Sequence, residues 1–356
     1  MAPSTHAPAS GPALSQATRI LLGLAAAVVV LAGMSFARGI IGPLAVAIVI
    51  VIICAPVRRP LERWGLPSWL ATTAVILVSY AVLIIMALLL AFAVAEFTEL
   101  AIDYAPALRD TADLFIKQLD AIGMDAQASD AITGMLTPAR ILDLAASLGN
   151  TLLVALTALF FIFAYMIFMA ADAARYAKAE SSFGASAKPR MTRFAQFNGS
   201  VRRYFVVNAA FGLLVAVVDA LALWAMGVPA PIVWGVLAFV TNFVPNIGFV
   251  LGLVPPAVLA LVVGGWPLMI AVVAVYCVAN VGLQVLIQPK FVSDAVNLSL
   301  TLSFVSVLFW TFIIGPLGAI LAIPLTLLAR ALLLEGDPNA KWLRWLTGDT
   351  SVTERG

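Results

Sequence analysis

Residues 220–289 read ALALWAMGVPAPIVWGVLAFVTNFVPNIGFVLGLVPPAVLALVVGGWPLMIAVVAVYCVANVGLQVLIQP, without one Asp, Glu, Lys or Arg. Residues 295–329 are uncharged as well. A run of about 18 apolar residues already suggests a helix that crosses a bilayer. A transmembrane barrel would show alternating segments of about ten residues, and no such alternation runs through these stretches. The rest of the chain agrees: of 356 residues, 63% are hydrophobic and 11% charged, and the mean hydropathy is +1.07. Soluble domains carry about 25% charged residues. A soluble fold of this size could not cover itself with so little polar surface. The sequence therefore predicts an all-α polytopic membrane protein whose solvent is the lipid bilayer.

Outward from this stretch, apolar and polar segments alternate. Residues 1–18 are rich in Pro, Ser and Ala and read as a disordered tail; no short apolar core with a cleavage site follows, so a signal peptide is not expected. Residues 19–95 hold three predicted transmembrane helices: Ile20–Phe36, Gly39–Val57, and one within Gly65–Ala95, which is longer than one span needs. Residues 96–143 form an acidic insert with nine acids against Arg109, Lys117 and Arg140. Leu100, Tyr104, Leu108, Phe115, Leu119 and Ile122 recur near helical spacing in it, so it is expected to be helical and outside the bilayer. A fourth helix is expected within 144–171. The segment 172–203 is basic, with Arg175, Lys178, Lys188, Arg190, Arg193, Arg202 and Arg203 against Asp172 and Glu180. Residues 204–334 form the transmembrane core, and 335–356 a tail whose Lys341–Leu346 stretch is amphipathic.

Lys and Arg bias sets orientation. The short basic loop 58–65 and the basic segment 172–203 belong in the cytoplasm, and two spans separate them. Both termini then lie inside and the acidic insert outside.

The core helices are interrupted. Pro231–Gly264 contains Pro245, Asn246, Ile247 and Gly248 in succession, then Pro255 and Pro256; Leu298–Leu334 contains Gly315, Pro316, Gly318 and Pro324. Unpaired backbone cannot face lipid, so a break must be buried in protein or line a wet cavity. Discontinuous helices are where transporters commonly bind their solutes. The alternative is that Pro and Gly mark ordinary kinks and close packing, as Gly248 and Gly252 could. About eight transmembrane helices result if each broken stretch crosses once, ten if each is a re-entrant hairpin; parity is the same.

Some chemistry is excluded. No phosphate-binding G-x-x-x-x-G-K-[ST] motif occurs, so the chain is not itself an ATPase of that kind. His6 is the sole histidine and lies in the tail, which removes His-based metal sites and Ser-His or Cys-His catalysis. Cys54 and Cys277 sit in apolar runs and read as packing residues. A net charge of +2 gives no reason to expect a nucleic-acid partner. No enzyme activity and no cofactor are expected.

What remains is polar chemistry inside the core. Asp219 is the one acid deep within a predicted span, about 10 Å from the helix end at Met226 by the helical rise. An ionisable group at such depth is costly and is read first as functional. It could carry a proton, bind a cation or accept hydrogen bonds from a polyol; it could also simply pair with a polar neighbour. Asn208, Thr241, Asn242, Asn246, Asn280, Gln284 and Gln288 accompany it. Asn280, Gln284 and Gln288 recur every fourth residue and so share a helix face. Amides there suit a neutral hydroxylated solute or helix–helix bonding. With the breaks, the candidate pathway comprises Asp219, Asn208, Asn242, Pro245, Asn246, Gly248, Asn280, Gln284, Gln288, Gly315, Gly318 and Pro324.

The stretches Leu237–Gly248 (LAFVTNFVPNIG), Val254–Leu261 (VPPAVLAL) and Trp310–Thr326 (WTFIIGPLGAILAIPLT), with Pro289 and Leu298-Ser-Leu, resemble the autoinducer-2 exporter family of bacterial membrane proteins. Cys54–Arg63 is similar to that family's first cytoplasmic loop. The resemblance covers most of residues 20–335 apart from the acidic insert. It implies a transporter of about eight helices in the bacterial inner membrane, with cytoplasmic termini and homo-oligomeric assembly. It does not fix the substrate: some members are linked to export of autoinducer-2, others to sodium or lithium/proton antiport. Three functions follow in order: a carrier of a small polar solute, a monovalent-cation/proton antiporter centred on Asp219, and a non-transporting membrane scaffold that binds through its acidic insert.

Overall fold

In a computed structural model, residues 15–121, 147, 157–169, 188–245, 247–288, 291, 298–334 and 341–348 are described. Half of the expected fourth helix, the second half of the acidic insert, residues 170–187 and Asn246 lie outside them. Among the described residues the fold is helical with no strand.

The first helix, α1, spans Gln16–Phe36, and Ser15 caps it by accepting the Thr18 amide on its hydroxyl at 3.1 Å. After one residue α2 follows (Arg38–Cys54), then a 3-10 turn at Ala55–Val57 opened by Pro56, and the short α3, Arg58–Arg63. Arg58 and Glu62 pair at 2.6 Å along its exposed face. Pro67 starts α4, Ser68–Asp103, about 54 Å long by the helical rise and so longer than a hydrocarbon core of about 30 Å. The helix continues eight residues into the acidic segment, because charge alone does not end a helix. The amphipathic α5, Ala105–Ala121, comes after a break at Tyr104. The helix α6, Thr157–Met169, packs beside α4, where the Tyr80 hydroxyl donates to the Phe163 carbonyl at 3.0 Å.

The longest helix, α7, runs Lys188–Ala225 and joins the basic segment to the first core span without interruption. Gly227, at φ +73°, and Pro229 end it, and Pro231 at the first helical position opens α8, Pro231–Thr241. At about 17 Å, α8 is too short to cross a bilayer. The chain turns back over 242–247 and enters α9, Gly248–Asn280, which passes into a π-helical segment, Val281–Ile287. A straight α9 would separate Gly248 from Asn280 by about 48 Å. Both instead border one cavity, as do Gly252 and Tyr276. The reversal lies at Gly265, whose φ of 69° and ψ of −166° are open to glycine and strained for other residues. The second broken stretch is also a hairpin: α10, Leu300–Ile314, and α11, Pro316–Leu333, meet at Gly315 with φ +83°. Across it Trp310 donates to the Thr326 hydroxyl at 3.0 Å, and that hydroxyl lies 2.9 Å from Ser306 Oγ. Residues 306 and 326 sit symmetrically about the turn, as antiparallel arms require. The last helix, α12, is Lys341–Leu346.

Among the described residues five helical stretches are long and apolar enough to cross a membrane, and four shorter apolar helices accompany them. Large apolar side chains lie on the outside, as with Leu21, Val29, Leu88 and Phe312, and Phe36 is 96% exposed. Lipid is as apolar as these side chains, so helix association rests on close packing. Ala47, Ala71, Ala260 and Ala322 are fully buried at such contacts, and a Cβ on Gly235 would lie 3.0 Å from the Ala216 carbonyl oxygen. Two apolar clusters terminate the core. One gathers Leu223, Trp234, Leu259, Val272 and Tyr276 beneath Phe97 and Leu100 of α4 and Tyr104 just beyond it. The other gathers Val201, Tyr204, Leu321 and Leu327 with Leu298. Val201 and Leu223 are about 33 Å apart along α7, close to the thickness of a hydrocarbon core.

Candidate functional site

Between these clusters, α7, α8 and the two arms of α9 border a small cavity of about 10 Å³, in this conformation room for about one water molecule. Asp219 reaches it from α7, Thr241 and Asn242 from the end of α8, Gly248 and Gly252 from the first arm of α9, and Tyr276, Asn280 and Gln284 from the second arm and the π segment. The break after α8 makes this possible. A Cβ on Gly248 would overlap the Thr241 carbonyl oxygen, so glycine lets the two helix ends close on each other. Gly252 continues that contact one turn on, its Cβ position 3.0 Å from Thr241 Oγ1. The start of α9 thus borders the same space as Asp219, and a helix N-terminus carries the positive end of its dipole.

Asp219 is fully buried, and neither carboxylate oxygen has a protein hydrogen-bond partner among the described residues. The Tyr276 hydroxyl is likewise buried and without a protein partner there. The amides are bonded. Asn280 donates to the Tyr276 carbonyl at 2.8 Å, and Gln284 donates to Asn280 Oδ1 at 2.8 Å. Gln288 donates to Asn208 Oδ1 at 2.6 Å, and Asn242 donates to the Asn208 carbonyl at 3.1 Å. The π-helical stretch between Asn280 and Gln288 widens the turn, a feature that recurs at functional sites.

The structure therefore brings Asp219, Asn242, Gly248, Asn280 and Gln284 to one cavity. Asn208 and Gln288 adjoin it through their hydrogen bonds but do not line it. Pro245 lies in the turn, where its carbonyl accepts the Ile247 amide at 2.7 Å; Asn246 lies outside the described residues. Gly315, Gly318 and Pro324 belong to the neighbouring α10–α11 hairpin, with Gly318 packed against the Trp310 carbonyl and Pro324 buried. The hairpin meets the site from behind: Val244 and Ile247 pack on the cluster of Trp310 and Ile314. Tyr276 is the polar lining residue absent from the sequence-based expectations, alongside the apolar Val215, Ala238 and Phe249. Its signal is its place four residues before Asn280, which extends the stripe 280, 284, 288 by one step. Among the described residues no group of three or more His, Cys, Asp or Glu is placed to hold a metal ion.

A buried, unpaired carboxylate at a helix break between membrane helices is an arrangement suited to capturing a solute during passage. Comparison with known proteins places the chain among transporters. The chain is 27% identical over 312 residues to the AI-2 transport protein TqsA of Escherichia coli K12, covering 88% of this chain and 90% of that protein. It is 27% identical over 336 residues to a putative transport protein of Haemophilus influenzae, covering 93% and 96%. It is 27% identical over 314 residues to the putative transport protein YhhT of Escherichia coli K12, covering 86% and 88%. The sequence model of the AI-2E family transporter matches residues 24–336. With those residues matched and the helical core built as described, this multi-pass membrane protein belongs to the AI-2E family of transporters.

Proposed function

We propose that the protein carries a small polar solute across the bacterial inner membrane, that the Asp219 cavity is where the solute binds, and that autoinducer-2 is the solute to test first. The observation that carries this reading is the buried Asp219 carboxylate, both oxygens without a hydrogen-bond partner among the described residues, in a cavity formed where α8 and α9 are broken. Leaving such a group unsatisfied costs several kcal/mol by order of magnitude. A site that offset this cost only when solute is bound would couple binding to the function. Support for the solute comes from the TqsA relative, whose name states AI-2 transport. Movement follows a gradient in this reading, since the sequence holds no phosphate-binding loop. The family likeness extends the proposal to homo-oligomeric assembly with both termini cytoplasmic. The test is flux into proteoliposomes with autoinducer-2 and Na⁺ measured side by side. Saturable autoinducer-2 flux supports the reading, and Na⁺ flux alone rejects it in favour of an antiporter.

A further inference from the structure

Tracing the hydrogen bonds around the cavity separates polar groups that hold the helices together from groups left over. Asn280 and Gln284 bond to each other and to the Tyr276 carbonyl. Asn242 bonds to the Asn208 carbonyl, and the Thr241 hydroxyl donates to the Leu237 carbonyl at 2.9 Å. Each of these four side chains thus donates at least one bond within the fold. The Asp219 carboxylate and the Tyr276 hydroxyl remain, buried at 0% and 1% exposure and without protein partners among the described residues. They come from different helices, α7 and the second arm of α9, and border the same cavity.

We propose that Tyr276 is a solute-contact residue that acts with Asp219, and that the two select a small neutral solute bearing adjacent hydroxyl groups. The inference rests on the cavity being the transport site. A carboxylate only accepts hydrogen bonds, whereas a phenol hydroxyl donates one and accepts others. A diol matches this pair: one hydroxyl donates to Asp219, and its neighbour accepts from Tyr276. A bare monovalent cation matches it less well. A cation takes only oxygen lone pairs and leaves the phenol O–H of Tyr276 without an acceptor. Tyr276 is also a wall of the apolar cluster around Trp234 and Leu259, so the ring is held by packing while its hydroxyl stays available.

The test reconstitutes the wild type and Tyr276→Phe into proteoliposomes and follows autoinducer-2 flux against concentration. Two isomeric competitors, 1,2-butanediol and 1,4-butanediol, differ only in whether the hydroxyls are adjacent, and Na⁺ flux runs in parallel. In the wild type the 1,2-isomer competes better. In Tyr276→Phe that preference disappears and the apparent KM rises about ten-fold, the effect of one lost hydrogen bond, with the maximal rate within about two-fold. A purely structural role for the hydroxyl would lower the maximal rate or the folded yield without erasing the isomer preference. Wild-type flux that ignores the isomers, or a Tyr276→Phe protein with unchanged KM and preference, overturns the diol pair and leaves the transport reading standing. Wild-type vesicles that move Na⁺ and no neutral solute overturn both.

Discussion

At Asp219 and Gly248 two neighbouring demands of the site are met by single residues. Replacing Asp219 by Asn keeps the side chain's shape but turns one acceptor oxygen into an NH2 donor and removes a charge that insertion scales place at about 2.5–3.5 kcal/mol at mid-bilayer. Since no hydrogen bond to the described residues is lost, the variant is expected to unfold in detergent at or above the wild-type temperature. A marked drop would mean that the carboxylate holds the helices together. Gly248→Ala is expected to do the opposite: its Cβ would overlap the Thr241 carbonyl oxygen, so the helix ends must part, at about 1–3 kcal/mol of stability. Gly33→Ala in α1, with nothing within 4 Å of the added carbon, is the control and should melt no lower than wild type. Asp219 was legible in the sequence because an acid in an uncharged run is conspicuous. Tyr276 was not, since one aromatic residue in an apolar helix is ordinary core filler until the cavity beside it is known.

Among the elements, the reversals were legible to different degrees. The breaks at 242–247 and at Gly315 announce themselves through Pro and Gly, and both produce hairpins. The sequence alone could not choose between a kinked crossing and a hairpin, because that depends on which arms pack together. Helix ends without Pro or Gly were hidden: α4 runs on past Glu96 and α7 through Arg203, since charges mark where a helix leaves lipid and leave its backbone bonds intact. The amide stripe was visible as spacing, but its bonding required the partner Asn208 on α7. The α10–α11 hairpin gives a direct check on these contacts. Trp310→Phe removes the donor to Thr326 and should lower stability by about 0.6 kcal/mol, the mean for side-chain hydrogen bonds between membrane helices. Combined with Thr326→Val, the loss should fall short of the sum of the two single losses; strict additivity in thermal unfolding would show that the bond contributes nothing.

Over the whole molecule, the Lys and Arg bias is a proposal about sidedness that one cysteine can examine. In a protein lacking Cys54 and Cys277, Asp113→Cys on the exposed face of α5 should react with an impermeant thiol reagent added to intact cells. Labelling only after the cells are opened would invert the topology. That orientation would set the α4 end, with Phe97, Leu100 and Tyr104 over the Trp234 cluster, on the outer side of the cavity, and the Val201 and Leu327 cluster on the inner. The central claim is that the solute passes by way of Asp219. It is tested most directly by autoinducer-2 flux in proteoliposomes holding equal amounts of folded wild-type and Asp219→Asn protein. The account predicts at least a roughly ten-fold fall in flux, about 1.4 kcal/mol, with oligomer size and unfolding temperature preserved. Equal flux in the two proteins would contradict it and remove the cavity from the solute's path.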